Sequence, residues 1–295
     1  MCPWCQASEH RIVKNGFFVR HITGPRRSQR YRCRECKRSF SDQTASITYR
    51  DKKPHYNQPI FRMLCSGMSQ RRCAFLLHLH QDTVARKMAK LGAFARAELY
   101  RPVKTGEATL LFDEMETFEH TKCKPVSIVI AVVEKERRIV AINAASMPAK
   151  GRLAEIARRR YGKRADHRPR ALRQTFRQLT RIASPNITLK SDECPRYPKY
   201  ARQFFPSGKH LTFKGRRACV VGYGEMKKGG FDPLFDLNHS CAMVRDNLKR
   251  MARRTWCTTK RIRRLQALLD MYGCFHNQRL GDRRRVPRLG EVRTQ

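Results

Sequence analysis

Leu110-Leu111-Phe112-Asp113-Glu114-Met115-Glu116-Thr117-Phe118-Glu119-His120 is an apolar run that ends in acid. Its four carboxylates lie in a chain with 24 Asp and Glu against 64 Lys and Arg, a formal charge of +40. Such a cluster gains little in a basic protein unless it meets a cation. Ala108 to Asp113 predicts a first strand that carries Asp113 to its end. Asn186-Ile187-Thr188-Leu189-Lys190-Ser191-Asp192 predicts a second strand, also ending in an acid. Two strand-terminal carboxylates at the edge of one sheet suit a shared Mg²⁺, which takes oxygen ligands and keeps several waters. Two such ions would polarise an attacking hydroxyl and stabilise a leaving oxygen in phosphoryl transfer. The competing reading of either aspartate is a cap on a strand-to-loop turn. Glu116 and Glu119 are expected to balance local arginines, and Glu193 to be a loop neighbour of Asp192.

Between the aspartates, Val126 to Glu134 and Arg137 to Ser146 read as a hairpin with Lys135-Glu136 near its turn. A basic stretch over 148–170 carries one short helix at Leu153 to Tyr161, and Ala171 to Ile182 is a second, amphipathic helix. Beyond Asp192, residues 222–230 form a glycine-rich connection. Then come a helix from Cys241 to Trp256 with the apolar stripe Val244, Leu248 and Met251, and another from Arg261 to Cys274. Arg245, Lys249 and Arg253 give the first of these a basic, DNA-facing surface. The fold class is therefore α/β, with a catalytic domain over 105–278 and a basic, disordered tail over 279–295.

Working toward the N-terminus, Asp82 is expected to cap a helix with Val84, Met88 and Leu91 at i, i+4 and i+7. Ser69 caps a shorter helix before it, and an apolar helix at Ile60 to Leu64 precedes both. This is helix-turn-helix spacing, in a region spanning 46–104. The last helix would enter the major groove, with Thr83, Arg86 and Lys87 as its exposed contacts. Residues 46–59, with Pro54 and Pro59, read as a linker. Residues 1–45 read as a zinc ribbon. Cys2-x2-Cys5 and Cys33-x2-Cys36 each set two thiolates on a tight turn, and four thiolates close a tetrahedral, structural zinc site.

Composition narrows the function classes. The pI is near 10.8, and basic residues run along the whole length, which points to nucleic acid. A membrane-surface protein would gather its charge on one amphipathic helix or tail. No run approaches the roughly 18 apolar residues of a membrane helix. Met1 leads at once into Cys2-Pro3-Trp4-Cys5 without an apolar core, so no export leader is expected. Twelve cysteines in such a chain argue for reduced thiols, some of them on metal, in the cytoplasm or on the nucleoid.

The order of these pieces resembles that of bacterial insertion-sequence transposases. The paired Cys-x2-Cys motifs, the helix-turn-helix, Leu111-Phe112-Asp113-Glu114-Met115 and Lys190-Ser191-Asp192 carry the likeness. So does the run from Val244 to Lys260, which is similar to the C-terminal helix of the smallest, zinc-ribbon-bearing members. The resemblance reaches from Cys2 to about Asn277. It implies an RNase H-like fold, a mixed sheet flanked by helices, and a DDE-type site that uses Mg²⁺ (or Mn²⁺) to nick element ends and join them to target DNA. It also implies a homodimer or higher assembly on DNA. The family's third acid opens the C-terminal helix, and here that place falls at Asn238-His239. Asn238 is then the third ligand, with His239 next. Asp236 is the nearest substitute, followed by Asp232, Glu225 and Asp246. Asn238 or Ser240 as a helix N-cap is the competing reading. Two rival functions remain: a DNA-binding regulator or decayed transposase without chemistry, and a nuclease or RNA-processing enzyme on a similar fold.

Overall fold

The computed structural model describes residues 1–20, 26–44, 46–101, 105, 108–215, 226–227, 230–252 and 255–283. Contacts divide the chain into two units, Met1–Ile60 and Phe61–Gln295.

In the first unit, β1 (Ile12–Arg20), β2 (Arg26–Cys33) and β3 (Ser39–Ser41) form an antiparallel sheet in that order. The pairing slips between Lys14 and Phe17, where Gly16 takes φ +67°; a glycine there makes the bulge cheap. Cys2, Ala7 and Cys33 are its buried cluster, with Ile12, Cys36 and Phe40 packed around them. That core is too small to hold a fold without a staple. The expected linker is more ordered than its prolines suggest. Pro54 opens a single 3-10 turn, and α1 (Asn57–Leu64) follows at once. Pro59 sits in the first turn of α1, where a missing N–H costs nothing.

The second unit begins with α2 (Gln70–Leu76) and α3 (Gln81–Leu99). Ser69 caps α2, its hydroxyl accepting the Arg72 N–H at 3.3 Å. The cap of α3 is His80 and not Asp82: His80 Nδ1 accepts the Asp82 N–H at 3.3 Å. The helical region expected over 46–104 is not a body of its own, because α3 packs along the C-terminal helix α8 (Ile262–Arg283). Gly92 permits the close approach, since a Cβ there would lie 2.5 Å from that of Ala267. Arg96 pairs with the buried Asp270 at 3.2 Å across the same interface.

The sheet is built from β4 (Leu110–Glu119), β5 (Thr121–Val133) and β6 (Ile139–Ser146), then α4 (Leu153–Tyr161), α5 (Arg168–Leu179), β7 (Thr188–Asp192), α6 (Tyr197–Phe204) and β8 (Lys209–Phe213). Strand order is β6-β5-β4-β7-β8. β4, β5 and β6 run antiparallel; β4, β7 and β8 run parallel. The hairpin turns at Lys135, as expected, with φ +64°. Leu110, Phe112 and Leu189 of the sheet are buried with Phe176 of α5 and Tyr197 of α6. Phe112 lies with its ring centroid 5.1 Å from that of Phe176.

The outer edge of β6 is closed by side chains. Asn277 binds both backbone groups of Ile139, Tyr100 those of Ile142, and Gln266 the Ala144 N–H and the Ile142 carbonyl. An edge that would otherwise pair with another strand is thereby occupied.

β9 (Met226–Lys227) and β10 (Gly230–Phe231) pair within the glycine-rich stretch, whose remaining residues lie outside those described. The helix α7 spans Phe235–Asn247, not Cys241 to Trp256. It starts earlier, after a turn in which the Asp232 side chain accepts the Leu234 N–H at 3.1 Å and its carbonyl the Phe235 N–H at 3.0 Å. It stops at Asn247, whose carbonyl takes the Gly67 N–H at 2.7 Å, and Leu248 turns extended. Val244, Leu248 and Met251 are all buried despite the break. The helix α8 outruns its predicted end at Cys274, and takes in the first residues of the expected tail; 284–295 lie outside the described residues.

Candidate active site and metal centre

The four cysteines named from sequence meet. Their sulfurs all lie within 4.8 Å of one another, Cys2 facing Cys36 at 3.7 Å and Cys5 facing Cys33 at 3.6 Å. Burial opposes ionisation of Cys2, yet N–H groups of Cys5 and Trp4 draw its thiol down to about 7. Four thiols that converge are the donor set of a closed tetrahedral zinc site. The cysteine cluster could hold zinc, and its residues fit that ion.

The two aspartates also meet, though not as two strand ends. β4 continues six residues past Asp113, paired throughout with β5. A first strand ending at Asp113 is therefore corrected: the acidic residues Glu114, Glu116 and Glu119 remain in the strand. β7 does end at Asp192. Leu110 pairs with Leu189 and Leu111 with Lys190, so the register carries Asp113 level with Asp192 on a neighbouring parallel strand and on the same face.

Asp113 is half-buried. Its Oδ1 accepts the Tyr197 hydroxyl at 3.1 Å and the Glu114 N–H at 2.6 Å. Burial first, and the Asp192 charge second, push its carboxyl up to about 6. Asp192 Oδ1 accepts the Cys194 N–H at 3.1 Å. Every other acid of β4 has a basic partner: Glu114 with Arg196 at 2.5 Å, Glu116 with Lys150 at 2.9 Å, Glu119 with Arg164 at 3.1 Å. Glu116 and Glu119 thus balance local cations, as expected from sequence. The lysine nearest in chain to Asp192, Lys190, is taken by Glu134 at 2.6 Å. Among the described residues, neither Asp113 nor Asp192 is in an ion pair. Two adjacent carboxylates in no ion pair among the described residues need another cation or a shared proton.

The third-ligand candidates part company. Asp236 accepts the Lys135 N–H at 2.7 Å, and His239 lies 3.4 Å from the Arg137 guanidinium with its ring against Phe235. Both serve the β5–β6 turn. That turn follows Val133, which pairs with Leu110, three residues along β4 from Asp113. The bonds recorded for Asp236 and His239 thus lead to this turn. Asn238 donates its amide N–H to Asp232 at 2.7 Å. A carboxylate acceptor there fixes which way the amide faces and leaves the carbonyl oxygen as the side chain's outward acceptor. Cys241, one turn on, is the α7 side chain that feels the Asp113 charge; burial first and Asp113 next push its thiol up to about 12. Sequence reasoning passed over Cys241 and Tyr197, since neither spacing nor charge marks them. Glu225 lies outside the described residues, and Asp246 is exposed on α7.

Of the DNA-contact candidates, Arg86 is exposed and Thr83 half-buried. Lys87 is not exposed: it is buried, because it falls on the same helical face as Val84, Met88 and Leu91. Arg245 is half-buried, Lys249 is exposed beyond the end of α7, and Arg253 lies outside the described residues. No described helix is long and apolar enough to cross a membrane.

Against known proteins, no family model matches the chain. It is 31% identical over 87 residues to the insertion element iso-IS1N protein InsA of Shigella dysenteriae. That alignment takes in 30% of this chain and 84% of that protein, so the larger part of the chain lies outside it.

Proposed function

We propose a function on one premise: this chain belongs to the family of insertion-element InsA proteins. It acts in transposition as a DDE-type DNA transposase. Asp113 and Asp192 hold Mg²⁺ or Mn²⁺, and the Asn238 carbonyl is the third ligand. The observation that carries this reading is the unpaired acid pair in a chain of charge +40. The mixed sheet flanked by helices, with both aspartates on neighbouring parallel strands, supports an RNase H-like assignment. Bound there, the metal would supply Lewis-acid activation of water and then of a 3′-hydroxyl. Tyr197 and the Glu114 N–H hold the Asp113 carboxylate in one orientation. Arg196 keeps Glu114 from adding a third free charge beside it. The zinc ribbon and the α2–α3 helix-turn-helix, through Arg86 and Thr83, hold the terminal repeats, and phosphate contacts make that binding fall steeply with salt. Synapsis of two ends calls for a dimer or more.

The replacement of a third acid by Asn238 favours one second reading, a DNA-binding protein without strand transfer. Strand transfer on pre-nicked element ends with Mg²⁺ separates the two. Joining by the wild type, lost in Asp113→Asn and Asn238→Ala while DNA binding persists, supports the transposase. Binding without joining on correct ends leaves only the regulator.

A further inference from the structure

A groove of about 840 Å³ runs beside α4 in the second unit. Lys124, Arg158, Tyr161, Lys163, Arg164 and His167 line it. The one acid among its lining residues, Asp166, is neutralised by Arg168 at 2.6 Å. Along α4 only Ala157 is buried; Arg158, Arg159, Arg160 and Tyr161 are all exposed. Arginines in a last helical turn complement the helix dipole, but that does not explain why Lys124 of β5 and Lys163 of the following loop converge on the same concavity. Tyr161 is 43% exposed, with the Lys124 ammonium 4.3 Å from its ring centre. Among the described residues, Arg158 and Lys163 are in no ion pair.

We propose that this groove binds an unpaired DNA strand, with phosphates on Arg158 and Lys163 and a base against Tyr161. It rests on the reading that DNA is the partner. A duplex is convex and keeps its bases stacked inside. A concave basic track containing an exposed aromatic ring matches a strand whose bases are turned out. The groove is also tied to the acid pair through one rigid element. Arg164, on its wall, grips Glu119, six residues after Asp113 on β4 and about 20 Å along it. A strand freed at Asp113 has a basic path to follow.

The test uses the full chain in buffer without magnesium, so that chemistry plays no part. The probes are a short fluorescein-labelled oligo(dT) and a random-sequence duplex of equal length. Tyr161→Ala should weaken oligo(dT) binding about 5- to 50-fold and duplex binding less than about twofold, while Tyr161→Phe keeps both. Arg158→Ala/Lys163→Ala should reduce the single-strand salt slope by about 1.4. Unchanged oligo(dT) affinity in Tyr161→Ala, or an equal loss on the duplex, overturns the proposal. Absence of Mg²⁺-dependent cleavage by the wild type, with single-strand discrimination intact, would instead sink the catalytic assignment and leave the groove standing.

Discussion

Replacing Asp113 by Asn should stabilise the metal-free protein. The aspartate is held half-buried beside Asp192, and its carboxyl rises from an ordinary 3.8 to about 6. That rise corresponds to about 3 kcal/mol spent on keeping the group ionised at neutral pH. Asn removes the charge but retains a carbonyl for the Tyr197 hydroxyl and the Glu114 N–H, so little hydrogen bonding is lost. The sign follows from proton linkage. Folded Asp113 keeps its proton up to about pH 6 while the unfolded chain releases it near 3.8, so wild-type stability falls as pH rises through that window and the full cost stands above it. Asp270 is likewise pushed up to about 6 by burial, but it is common to both proteins and cancels in the difference. Urea unfolding of zinc-loaded protein without magnesium should give Asn an advantage of about 2–3 kcal/mol near pH 7.5 that vanishes near pH 4. Adding Mg²⁺ should raise the melting temperature of the wild type and leave Asp113→Asn unmoved. A destabilised Asp113→Asn at pH 7.5, or an advantage independent of pH, would refute the argument that these two carboxylates share an unmet charge.

Two further outcomes test the frame around the site. Chelating the metal, or changing Cys33 to Ser, should unfold the Met1–Ile60 unit and leave the second unit's transition in place, since the first unit buries little besides its cysteines; proteolysis of the β1–β2 hairpin after chelation reads this directly. Gly92→Ala should cost about 1–3 kcal/mol, because the new methyl meets the Cα, Cβ and carbonyl of Ala267 at 2.5–2.8 Å; a Tm unchanged from wild type would show that α3 and α8 can separate freely.

Sequence alone determined what is local in this protein. The paired Cys-x2-Cys motifs specify a metal site because each sets two ligands on one turn. Lys135-Glu136 sets the hairpin, and the stripe Val84/Met88/Leu91 names the buried face of α3. The clustering of acid at Asp113, in a chain otherwise poor in it, marked that residue without any coordinates. Tertiary structure decided what depends on partners distant in the chain. β4 runs on through its acids because Arg196, Lys150 and Arg164 arrive to neutralise three of them, and no period in the sequence announces those pairings. The start of α7 moved to Phe235 because a turn held by Asp232 precedes it, and its early end coincides with a bond from the Gly67 N–H to the Asn247 carbonyl. Lys87, basic and polar by composition, is buried because its helical position, not its charge, sets which way it faces. Local spacing fixes which atoms a turn can bring together. Which carboxylates stay unpaired is settled only when the parallel pairing of β4 and β7 sets Asp113 beside Asp192 and Lys190 and Arg196 are taken by Glu134 and Glu114.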